Sequence, residues 1–75
     1  VKPAIGRIVH FKPGTEQRNE WELDEDQLLA AVIVRVWSDI CVNLRVLLDG
    51  AMESPWVTSV VRGEDEHQWR WPERV

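Results

Sequence analysis

The sequence predicts a small all-β domain: five short strands forming a small SH3-like, partly open barrel or meander, with a long loop near residues 12–28. Three observations carry that expectation. Apolar residues alternate with period two through Ala30–Trp37 and Val42–Leu48. β-Branched residues crowd the same stretches, which suits a pleated strand and disfavours a helix. Turn-forming pairs such as Pro13-Gly14, Asp49-Gly50 and Ser54-Pro55 punctuate the gaps.

The first strand is Arg7–Phe11, bounded by Pro3 and by Pro13-Gly14. Residues 12–27 are polar and irregular and read as one long surface loop, with a turn of helix expected at most from Asp24 onward. Ala30–Trp37 follows, with Val32, Val34 and Val36 on one face and Ile33, Arg35 and Trp37 on the other. Val42–Leu48 is its hairpin partner. Pairing Val36 with Val42 and Val34 with Leu44 keeps the apolar rows together and demands an odd-numbered connection. A three-residue connection sets Arg35 opposite Asn43, whereas a five-residue one sets Arg35 opposite Arg45, a like-charge pair. Trp56–Arg62 is the fourth strand. Gly63 and the charged turn Glu64-Asp65-Glu66 end it, and Gln68–Trp71, stopped by Pro72, is the last.

The chain is 75 residues long, enough for one domain with one thin core. Area scaling allots it roughly 4,800 Å² of exposed surface against about 12,800 Å² for the extended chain. The lone Cys41 excludes an internal disulfide, and Cys41 with His10 and His67 is too small a set for structural zinc. Neither metal nor cofactor is expected, and self-association becomes the favoured reinforcement. No apolar run reaches membrane-spanning length, the opening Val1-Lys2-Pro3 has no export-signal character, and the single thiol fits a reducing cytoplasm. With nine basic against thirteen acidic side chains the net charge is −4, and no segment has the basic density that duplex nucleic acid demands.

The outlier in composition is tryptophan: Trp21, Trp37, Trp56, Trp69 and Trp71, without a single tyrosine. Trp69 and Trp71 share a strand face at a spacing of about 6.6 Å, wide enough to clamp a planar group, with Arg74 placed to meet a phosphate. Packing at a barrel end or subunit interface is the plainer use of the same pair. Trp37, Asp39 and Asn43 lie around one strand corner, where Ser38, Asp39 and Asn43 can bond a ribose or base edge or satisfy their own backbone. Asn43 sits mid-strand against its propensity, so its placement wants a partner. Arg35 and Arg45, with Arg7 nearby, can form an anion site on an outer face or pair with the many carboxylates. The ligand-binding set read from the sequence is therefore Arg35, Trp37, Asp39, Asn43, Arg45, Trp69, Trp71 and Arg74. The catalytic case is empty: His10 has no nucleophile beside it, Cys41 is flanked by Ile40 and Val42, and no phosphate-binding glycine loop is present.

Gly6-Arg7-Ile8-Val9-His10, Val36-Trp37-Ser38-Asp39, Cys41-Val42-Asn43-Leu44, Thr58-Ser59-Val60 and Trp69-Arg70-Trp71-Pro72-Glu73-Arg74-Val75 give the chain a further signature. In these segments it resembles a group of short proteins encoded by tailed phages and prophages, which carry His where this chain has Arg70. The resemblance covers both ends and the middle hairpin but not residues 12–28 or 49–56. It implies a phage origin and attaches no activity. Together with the Trp and Arg content it leads to an oligomeric, non-enzymatic binder of a small-molecule nucleotide ligand. That ligand is a cyclic-nucleotide or ADP-ribose-type immune signal, sequestered in the host cytoplasm. Two alternatives stand beside it: a protein that blocks a host defence enzyme through a Trp-centred hot spot and its acidic residues 20–26, and a structural part of phage assembly.

Overall fold

The computed structural model describes residues 1–50 and 53–73. Five strands, β1 (Ile8–Lys12), β2 (Leu29–Val36), β3 (Cys41–Leu47), β4 (Trp56–Arg62) and β5 (Gln68–Arg70), form a closed barrel in the order β1-β2-β3-β4-β5. The small all-β, SH3-like architecture is thus as the sequence predicts. No helix among the described residues is long and apolar enough to cross a membrane. The accessible surface is 5215 Å², within about a tenth of the area that size scaling gives a compact chain of this mass.

Alternation builds the core. Val9 and Phe11 of β1 point inward opposite Ala31 and Leu29 of β2. Ile33, Leu44, Val46, Val42, Val57, Val60 and Trp69 complete the interior. The shorter of the two hairpin connections is used: Val36 pairs with Val42 and Arg35 with Asn43. The apolar row of β2, however, is Leu29, Ala31 and Ile33, not Val32, Val34 and Val36. Val34 is a bulge residue, so Leu44 faces Ile33 and the phase of the strand reverses along its length.

A second bulge lies across β3 at the same level. Leu44 pairs with Val57 and Val42 with Val60, so Thr58 and Ser59 together oppose Asn43. Ser59 takes the left-handed conformation, φ 55°, which turns its N–H off the strand ladder. Bulges on both neighbours of one β3 position supply the local bend and twist that let so few strands close.

Two further departures from the sequence reading concern connections. The chain is not a simple meander, because β4 and β5 run parallel, pairing Val61 with Gln68 and Arg62 with Trp69. The charged turn at Glu64–Glu66 therefore leads into a crossover, not a hairpin. β5 also pairs antiparallel with β1, which closes the barrel. The long segment before β2 is not irregular throughout. It contains α1 (Thr15–Glu20), begun at Gly14, whose N–H donates to Gln17 Oε1 at 2.8 Å. Just beyond it Trp21 packs into the core cluster. Arg18 reaches the carbonyls of Asp24 and Gln27 and ties the return path down.

Candidate functional site

The outer face of β2, β3 and β4 gathers three of the sequence-predicted residues, Arg35, Trp37 and Arg45, around a fourth, Asn43. This side chain is 5% exposed although it points away from the barrel interior. Its Oδ1 accepts three hydrogen bonds: from Trp37 Nε1 at 2.9 Å, Thr58 Oγ1 at 3.0 Å and the Ser59 backbone N–H at 2.8 Å. The amide therefore fills the gap that the β4 bulge leaves in the ladder. It also fixes the plane of the Trp37 indole.

Trp37 remains 51% exposed. The Arg35 guanidinium lies 3.8 Å from its ring centroid, a close cation–π stack. Among the described residues neither Arg35 nor Arg45 has a salt-bridge partner. Arg45 stands two residues along β3 from Asn43 on the same face, its Nη1 3.4 Å from the Ser54 carbonyl. It is paired with Val32 on one side and Trp56 on the other. Trp56 is 53% exposed.

Trp56, Thr58 and Ser59 belong to this face and were not in the set predicted from sequence. The parity of β4 holds the signal for Trp56, since Val57 faces inward and its neighbour must face out. Thr58 and Ser59 join through the bulge, which parity alone does not reveal. Asp39 lies at the exposed hairpin tip with no hydrogen bond among the described residues. The corner is instead satisfied by Ser38, whose Oγ accepts from the Ile40 and Cys41 N–H groups at 3.3 and 3.1 Å.

The Trp69–Trp71 clamp does not form. Trp69 is fully buried and donates from Nε1 to the Ile40 carbonyl at 2.9 Å. Its ring meets Trp71 edge-on, with centroids 5.3 Å apart and planes at 88°. No slot exists between them, because β5 is short and its Trp69 row completes the core. Trp71 lies half-buried beneath the Arg7 guanidinium, 5.5 Å from its ring. A cleft runs past it, lined by Arg62, Glu64, Arg70 and Glu73. Trp71 Nε1 and Arg70 Nε are buried there without a hydrogen-bond partner among the described residues, while Arg70 Nη1 pairs with Glu64 at 3.2 Å. Arg74 lies outside the described residues.

His10 pairs with Arg70 across the β1–β5 ladder and His67 meets the edge of Phe11, so the two histidines serve different elements. No cluster of metal-ligating side chains occurs among the described residues. In chemical terms the β2–β4 face offers fixed aromatic surface, two guanidinium groups and hydroxyls, a set suited to stacking and to holding phosphate. No family model, curated protein or solved structure matches the chain.

Proposed function

We propose that this is a phage-encoded, non-enzymatic binding protein that holds a nucleotide-type ligand on the outer face of β2–β4. In this reading the ligand is a cyclic-nucleotide or ADP-ribose-like signal of host defence, and the protein sequesters it in the host cytoplasm as a homo-oligomer. The observation that carries the reading is the Arg35–Trp37 stack, with the indole pinned by the buried Asn43 amide. A base or nicotinamide-like ring stacks on the half-exposed indole. Its phosphate takes the Arg35 or Arg45 guanidinium, and Thr58 and Ser59 offer hydroxyls to a ribose. Because Trp37 is already oriented, little side-chain entropy is lost on binding. The thin core and the exposed Ile40 and Val61, outside the Arg45–Trp56 row, support self-association.

Native mass spectrometry with cyclic mononucleotides, cyclic dinucleotides and cyclic ADP-ribose isomers tests this. The expected result is a discrete adduct at integral stoichiometry to an oligomer, lost in Trp37→Ala and weakened in Arg35→Ala. Absence of any adduct, with melting unchanged at saturating ligand, overturns it.

A second reading has its own observation. Glu20, Glu22, Asp24, Glu25 and Asp26 are all exposed on the segment that Arg18 braces, and they fit a basic protein partner such as a host defence enzyme. It predicts a host protein recovered on pull-down and lost when Asp24 and Asp26 are reversed to lysine.

A further inference from the structure

The face carries two arginines and two half-exposed tryptophans. Arg35 pairs with Asn43, to which the Trp37 indole also bonds, and Arg45 with its cross-strand neighbour Trp56 lies two residues further along β3. Successive same-face positions of a strand are about 6.7 Å apart. Ile8, Val32, Arg45 and Trp56 form one cross-strand row, and Arg35, Asn43 and Thr58 lie along the next. Among these residues there is no carboxylate, although the chain as a whole has thirteen. We infer that the ligand has two stacked ring systems joined through phosphate, that is, a dinucleotide, with one base on Trp37, the other on Trp56, and the bridging phosphate between Arg35 and Arg45. This rests on the nucleotide-binding reading above.

The surroundings favour a small ligand over a passing strand. Asp39 stands at the hairpin tip and Asp49 just past the other end of β3, both exposed. A longer phosphate backbone following β3 meets a carboxylate at each end, on a chain of net charge −4. A second copy of the same face is disfavoured as occupant, because an isologous contact sets arginines against arginines without an intervening anion.

The test compares AMP, the linear dinucleotide pApA and the tetranucleotide pApApApA by titration of the full chain. Binding is followed at the Trp37 and Trp56 indole N–H resonances. The expected result is that pApA binds at least about fivefold tighter than AMP, the low end of what one stacked base adds. Both indole resonances then shift, and the tetranucleotide adds no further gain. In Trp56→Ala the advantage of pApA over AMP falls to about one, while Trp56→Phe keeps most of it. Trp37→Ala lowers AMP and pApA binding together. If AMP shifts the Trp37 resonance but pApA binds no tighter, the two-base inference fails and the nucleotide reading stands. If neither ligand shifts either indole, both fail. An advantage that survives in Trp56→Ala places the second base elsewhere, and affinity that keeps rising with length makes the ligand a strand; each overturns the inference. Self-association that buries Trp56 in the free protein overturns it as well.

Discussion

Asn43 joins three parts of the molecule through a single oxygen, since Trp37, Thr58 and Ser59 all donate to its Oδ1. Asn43→Ala leaves those donors unsatisfied at a nearly buried position. It should lower stability by about 2 kcal/mol, on the order of 10 °C in melting temperature. Asn43→Asp keeps the acceptor and should lose less; equal losses by thermal melting would show that the hydrogen bonds are not what Asn43 supplies. The oddity of Asn43 is legible in the sequence, as a residue of poor β-propensity in the middle of a strand. Its partners are not, because two of them reach it only through the β4 bulge. The tryptophans divide the same way. Residue type and spacing put Trp69 and Trp71 on one strand face. Whether that face looks inward depends on how the barrel closes, and closure buries Trp69.

At the scale of elements, the bulges at Val34 and at Thr58–Ser59 decide which side chains are inside. A period-two reading of β2 assumes one phase along the whole strand, and the extra residue at Val34 breaks that assumption. The hairpin register at Val36–Val42 was readable because a like-charge pair weighs against the longer connection. The segment from Pro13 to Leu28 was readable only as polar and long. Its role turns on Trp21, which docks into the core cluster and closes one part of it. The Trp21 N–H donates to the Gln17 carbonyl and the Leu23 N–H to the Arg18 carbonyl, each at 2.9 Å. In Trp21→Ala these two amides should lose nearly all protection from hydrogen exchange, while Leu44 and Val46 of β3 stay protected. Uniform loss across the barrel would mean that the segment and the strands unfold as one unit.

For the whole molecule, strand number and all-β class followed from patterning, whereas closure did not. The parallel pairing of β4 with β5 joins residues on either side of a short crossover, and no local turn signal encodes it. Most contacts join residues far apart in sequence, and the β1–β5 pairing spans nearly the whole chain. Refolding followed by tryptophan fluorescence should therefore run in the millisecond-to-second range expected for small barrels, and a microsecond phase carrying the full amplitude would contradict it. The β1–β5 seam has a mechanical consequence too. His10 faces Arg70 and Lys12 faces Gln68, so the chain leaves both strands toward the same side of the seam. Tension applied through Ile8 and Arg70 loads those hydrogen bonds one after another, as in a zip, instead of shearing them together. A barrel without a free sheet edge at rest is thus built to yield at low force when drawn by these two strands, as an unfolding motor would draw it.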